Sequence, residues 1–139
     1  MSFQIQLLSQ SLEQIRPREA EFATHFYQHL FTRHPEMQPY FAHTDMAKQQ
    51  QMLVAALFLI IKSLEKPQML ATLIKGLAER HRRYGALTEQ FPHVGEALMA
   101  AFAFLLGSDW TPEMQQAWQQ AYEAITQQMI VGMGDSRVA

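Results

Sequence analysis

The chain contains no cysteine. That absence removes disulfides, thiolate zinc or iron–sulfur sites, a cysteine nucleophile and any thioether-linked cofactor. Basic residues are also few: 11 Lys and Arg stand against 13 Asp and Glu. With no positive excess to neutralise phosphates, nucleic acid and anionic membrane are poor partners. Long hydrophobic runs are missing too, the longest being the ten residues from Met52 to Ile61, well short of a span. Met1-Ser2-Phe3-Gln4 offers neither a basic n-region nor a cleavage site, so a secretory leader is not expected and a cytoplasmic location is. Glycine is scarce, at six in 139 residues. What is present is 48% apolar, enough for one domain, 1–139, to bury its own core.

Ala, Leu, Gln, Met and Glu are plentiful, which favours helix. Five of the six prolines (Pro17, Pro35, Pro67, Pro92 and Pro112) stand at or just before the head of a segment with helical periodicity. A missing N–H costs nothing there. The pattern predicts about seven helices: 3–15, 17–33, a short turn from Pro35 to Tyr40-Phe41, then 46–65, 67–82, 91–106 and 112–131. Thr44 or Asp45 is expected to cap the fourth, and Gly85 and Gly107 to end the fifth and sixth. Residues from about 132 to 139 read as a frayed tail. Alternation beyond Phe3-Gln4-Ile5-Gln6 is absent, so the class is all-α. Met52–Ile61 is apolar nearly all round, which predicts a central helix covered on several sides and crossed obliquely by others.

Without cysteine, chemistry falls to six histidines, the carboxylates and polar residues on apolar faces. No G-x-S-x-G, P-loop, G-x-G-x-x-G or paired inward carboxylate is found. His34 and His43 fall near turns, and His93 in a first helical turn beside Pro92. His25 and His29 are spaced i, i+4 but lack the glutamate of H-E-x-x-H and any apparent third ligand. With Arg33 they read as a solvated face. His81 differs. Leu70, Ile74, Leu77 and His81 repeat at 4-3-4 spacing, which places the imidazole on the buried stripe of its helix, among Arg80, Arg82 and Arg83. Such a histidine is either a satisfied core residue or the ligand of a cofactor with an apolar body and acidic edges, the shape of haem. Tyr27 lies on an inward row with Ala23 and Phe31, so its hydroxyl needs a partner, and Gln49 stands one turn before Leu53. One metal ligand and two hydrogen-bond donors on three helices would suffice to hold iron and steady a diatomic ligand.

In its order and spacing the chain resembles bacterial single-domain haemoglobins related to the haem domain of flavohaemoglobins. The stretch Phe26-Tyr27-x-x-Leu30-Phe31-x-x-His34-Pro35-Glu36-x-x-Pro39-x-Phe41 carries most of the resemblance. Leu77 to His81, Val94-Gly95-Glu96-x-Leu98 and Ala117-Trp118-x-x-Ala121-Tyr122 carry the rest. The resemblance implies a globin fold, a three-on-three helical sandwich, with b-type haem. It makes His81 the proximal ligand, Phe41 the ring stacked on haem, Tyr27 and Gln49 the distal donors, and Leu53 the apolar residue above iron. Gln49 precedes His81 by 32 positions, as expected for this branch, though the run of three glutamines leaves Gln50 open. Leu77, Arg80, Tyr84 and Val94 are implied haem contacts, Arg80 as a propionate partner. Two departures stand out. Where flavohaemoglobins have a tyrosine and a glutamate that make the proximal histidine more basic, this chain has Phe91 and, approximately, Met133. It also ends at Ala139 without a flavin or nicotinamide domain, so redox turnover is expected to draw on a separate reductase.

The function implied is reversible, high-affinity binding of oxygen, and of nitric oxide and carbon monoxide, at ferrous iron. Nitric oxide dioxygenation with an external reductase is the alternative. A ligand or redox sensor and a haem-free interaction module are further readings. A homodimer is compatible with this type of protein, although no exposed apolar face stands out in the sequence.

Overall fold

The protein is described by a computed structural model that covers residues 4–83, 85 and 88–133. Tyr84 and the tail from 134 onward lie outside the described residues. Six α-helices follow in order: α1 (Ile5–Ile15), α2 (Glu19–Arg33), α3 (Met46–Ser63), α4 (Pro67–Arg83), α5 (Phe91–Leu106) and α6 (Pro112–Gly132). The expected seventh, Pro35–Phe41, is a 3-10 helix rather than an α-helix. Among the described residues there is no strand.

Local chemistry sets most boundaries. Asp45 caps α3 by accepting from the backbone N–H of Ala47 and Lys48, and Thr111 caps α6 by accepting from Met114. Gly85 and Gly107, at φ 80° and 52°, end the runs before them in a region that other residues avoid. The second helix starts later than its proline. Pro17 lies inside a 3-10 turn, Arg16–Arg18, and Arg18 leaves helical geometry at φ −130°, so α2 begins at Glu19. α2 stops at His34, whose extended φ of −135° is what a following proline demands.

The helices stack as two layers, α1, α3 and α4 against α2, α5 and α6. α1 packs on α5 and α6, α3 on α2, and α4 on α6, while α2 and α5 make the most extensive contact of all. Phe22 of α2 meets Phe102 of α5 edge-on at 4.8 Å, and Phe102 is sandwiched by Trp110 and Trp118 at 5.0 and 4.7 Å. Burial of each such ring contributes about 1.5–3 kcal/mol. The Trp118 indole N–H donates to Ser11 Oγ at 2.7 Å, and Ser11 in turn donates to α1 carbonyls, so the polar atoms inside this contact are paired.

The most deeply covered helix is α5, not α3. Phe91, Gly95, Ala97, Leu98, Ala101, Phe102 and Leu105 are all buried along it. Thr88–Asp109 is apolar and long enough to cross a membrane, but its helix packs on α1, α2 and α6 as a core element. α3 fails the expectation of all-round cover. Val54 and Ile61 are buried, Leu53, Leu57, Phe58 and Ile60 are half-buried, and Met52 and Leu59 are exposed. Met52 and Leu59, seven residues apart, share one exposed side of α3, while Leu53, Leu57 and Ile60 share another that is only half covered.

α5 and α6 cross at Gly95. A Cβ there would lie 2.7 Å from the Tyr122 ring, which cannot swing away because its hydroxyl donates to the Phe91 carbonyl at 2.6 Å. Gly95→Ala is expected to lose about 1–3 kcal/mol of stability through this overlap, read as a lower urea midpoint with an unchanged slope.

Candidate functional site

Three of the residues singled out, Tyr27, Gln49 and Phe41, come from three different elements and meet. Tyr27 is buried on α2, ringed by Phe26, Phe31 and Phe41 at centroid distances of 4.8, 5.9 and 5.7 Å. Gln49, in the first turn of α3, donates from Nε2 to the Tyr27 hydroxyl at 3.0 Å. Of the three consecutive glutamines it is Gln49 that meets Tyr27. The bond uses the phenol as an acceptor, which leaves the hydroxyl hydrogen to donate elsewhere. Burial pushes the Tyr27 hydroxyl above the ordinary tyrosine range, with the Gln49 bond pulling weakly the other way. Tyr27 is thus a neutral phenol, and a donor, throughout the physiological pH range.

His81, near the end of α4, is oriented by its own helix. A carbonyl can only accept, so Nδ1–H donates to the Leu77 carbonyl at 2.7 Å, and Nε2 is the ring nitrogen through which His81 could ligate. The sequence placed His81 on a buried stripe. In the structure α4 buries Ile74 and Ala78, while Leu70, Leu77 and His81 are half-buried beside them. Phe91 lies tilted against the imidazole at 6.2 Å, and Met133 is buried in the same core. The partner given to Nδ1 is a neutral carbonyl.

Phe41, Leu53, Leu77 and Val94 come from four different segments, and all four are half-buried against the core. Each is an apolar side chain with part of its surface uncovered, which a flat apolar ligand would complete. Arg80, Arg82 and Arg83 are exposed, and among the described residues none of them makes a side-chain ion pair. The guanidinium of Arg80 lies over Gly76. Arg80 is therefore free to meet an acidic group at the edge of such a ligand. Tyr84, expected here as a contact, lies outside the described residues.

This donor set fits haem: an imidazole oriented by its own helix, an incompletely covered apolar surface, available arginines, and a phenol–amide pair. With no cysteine, the chain offers no thioether attachment for such a group.

Sequence periodicity missed a second gathering of polar residues. His25 and His29, expected as a solvated face, pack instead towards α5. His25 stacks on Phe104 at 4.2 Å, and His29 Nε2 lies 3.3 Å from Glu96 Oε1. His34 and His93, 59 positions apart in sequence, stack at 3.7 Å. Nothing local signals that meeting, because it depends on where α5 lands against the end of α2.

Comparison with known proteins accords with this geometry. Residues 24–129 match the family model described as Globin. A flavohemoprotein of Rhizobium meliloti is 39% identical over 100 residues, which cover 70% of this chain and 25% of that protein. The chain spans only about a quarter to a third of the length of the curated flavohemoproteins it matches. Among solved structures, an engineered carbene transferase, a candidate nitric oxide dioxygenase from Rhodothermus marinus, superposes with a TM-score of 0.84 at 25% identity, covering 96% of this chain and 93% of that one. A bacterial globin from Campylobacter jejuni gives 0.82 at 24% identity with 98% of each chain covered, a likeness of fold.

Proposed function

Because the chain belongs to the globin family, we propose that it holds b-type haem on His81 and binds oxygen, and also nitric oxide and carbon monoxide, reversibly. Haem, when bound, would supply a ferrous iron able to take a diatomic gas. His81 Nε2 is the ligating atom, and the Leu77 carbonyl keeps its ring in register with α4. Phe41, Leu53, Leu77 and Val94 would exclude water from around it, and Arg80 would pair with a propionate. Tyr27 would donate its hydroxyl hydrogen to the bound gas, and Gln49, which donates to that hydroxyl, would both fix and polarise it. The observation that carries this reading is the Gln49–Tyr27 hydrogen bond. It joins two residues from separate helices into one donor pair inside an otherwise apolar surround.

Two donors in a dry pocket favour tight binding and slow release, which suits retention or chemistry better than bulk transport. The test is titration of the protein with one equivalent of haem, followed spectroscopically in the ferric, ferrous and carbon monoxide states. A sharp Soret band saturating at one equivalent and shifting with carbon monoxide is expected. A broad spectrum like that of free haem would overturn the assignment.

Nitric oxide dioxygenation is the second reading, favoured by the likeness to flavohemoproteins and to the Rhodothermus marinus protein. That reaction would convert nitric oxide and oxygen to nitrate and would draw one electron per turnover from a separate reductase. Nitrate formed many times over with an added flavin reductase would support it, and nitrate that stops at one equivalent would leave the binding role. Phe91 and, approximately, Met133 stand where flavohaemoglobins have the tyrosine and glutamate that make the proximal histidine more basic, so the resemblance implies a weaker push toward O–O cleavage.

A further inference from the structure

We propose that His34, Glu36 and His93 form a divalent-cation site on the outer surface, separate from His81, suited to zinc or a neighbouring late first-row metal. One ligand atom from each of the three lies within 4.8 Å of the others. Three different structural devices bring them there. His34 is the residue that ends α2, held extended by Pro35. Glu36 sits in the first turn of the 3-10 helix that follows, and His93 in the first turn of α5. The backbone under the site is therefore fixed at both ends by proline-led turns, Pro35 and Pro92.

His34 already carries the signature of a ligand. Its side chain is only 17% exposed, and its buried Nε2 has no hydrogen-bond partner among the described residues. The Nδ1 edge of the ring faces Glu36 Oε2 at 3.8 Å, and the Nε2 edge faces Glu96 Oε1 at 3.6 Å. Binding of a cation at Nδ1 makes Nε2–H a donor aimed at Glu96. That is the carboxylate–histidine–metal relay that fixes the tautomer and strengthens the ligand. Glu96 is itself steadied by His29 at 3.3 Å and Arg33 at 3.7 Å. Two imidazoles and one carboxylate, with an outer carboxylate behind, form a nitrogen–oxygen donor set of the kind zinc takes.

Ligation needs the three atoms to close to about 3.3 Å, the edge of a tetrahedron with ligand bonds near 2.0 Å. Glu36 is exposed and His93 half-buried, so both can move. The His34–His93 stack, at 21° between planes, has to open so that each lone pair points at the metal. A cation held there would tie the end of α2 and the start of the Pro35–Phe41 segment to the head of α5.

The test is calorimetric titration of tag-free, haem-loaded protein with zinc chloride, alongside thermal melts with and without zinc. One equivalent should bind and raise the melting temperature. His93→Asn and Glu36→Gln should each weaken binding at least about tenfold and abolish the thermal shift. His25→Asn should retain wild-type affinity, and none of these three changes should alter carbon monoxide binding. Absence of binding heat, or wild-type affinity in both His93→Asn and Glu36→Gln, would overturn the site. Loss of binding in His25→Asn alone would overturn it too, placing the metal on the i, i+4 pair instead.

Discussion

His81→Ala should give a protein that folds yet loses the sharp Soret band, leaving haem broad-banded and easily removed. The helix tolerates the change. His81 is half-buried near the end of α4, and alanine is the best helix former, so the fold loses little. What disappears is the one imidazole whose Nδ1 is pinned by its own helix, with Nε2 as the nitrogen through which it could ligate. Apolar contacts from Phe41, Leu53, Leu77 and Val94 would still attract the porphyrin, but without an axial bond to register it. Millimolar imidazole, small enough to enter the space the side chain leaves, should restore much of the wild-type spectrum. An unaltered Soret band in His81→Ala would remove His81 from the proximal role. Failure of circular dichroism to report native helix would mark a folding defect instead, and imidazole would then restore nothing.

Tyr27→Phe should speed oxygen release about 10- to 100-fold. Phenylalanine keeps the ring that packs against Phe26, Phe31 and Phe41, so the packing survives and only the hydroxyl goes. A hydrogen bond to a strongly polarised acceptor is worth about 1.5–3 kcal/mol, and each 1.4 kcal/mol is a factor of ten in the equilibrium. Carbon monoxide, with little charge on its outer atom, should leave at nearly the wild-type rate, which separates lost hydrogen bonding from a disturbed pocket. Gln49→Leu should have a smaller effect, about two- to tenfold, because its amide acts largely by holding and polarising the Tyr27 hydroxyl. The two substitutions should not add, since the second removes a bond whose partner is already gone. Stopped-flow displacement of oxygen by carbon monoxide reads all of these rates. An unchanged rate in Tyr27→Phe would take Tyr27 out of ligand stabilisation.

Much of the site was legible because its members announce themselves locally. Tyr27 breaks an inward apolar row at helical spacing, and His81 continues the stripe of Leu70, Ile74 and Leu77. Each anomaly lies within a single helix, where a period of 3.6 residues suffices to say which side a residue takes. Caps and stops were equally local: Asp45, Thr111, Gly85 and Gly107 act through bonds or dihedrals only a few residues away.

Other features needed the packed molecule. Three consecutive glutamines present three directions, and only the approach of α2 to α3 selects Gln49 for Tyr27. The apolar run of α3 implied cover on all sides, yet Met52 and Leu59 are exposed and Leu53 and Leu57 half-covered, because a run of apolar residues does not say which of its sides the neighbouring helices reach. His34 and His93 read as ordinary turn and first-turn residues, and their stacking arises where α5 lands on the end of α2. The sequence by itself determined the all-α class, the order and approximate extent of the helices and the family, since all rest on short-range periodicity or ordered motifs. Tertiary structure alone decided the Tyr27–Gln49 bond, the burial of α5 over α3 and the meeting of the surface histidines. Those depend on crossing geometry between distant helices, and the free energy that fixes it is summed over the whole core rather than written in any one segment.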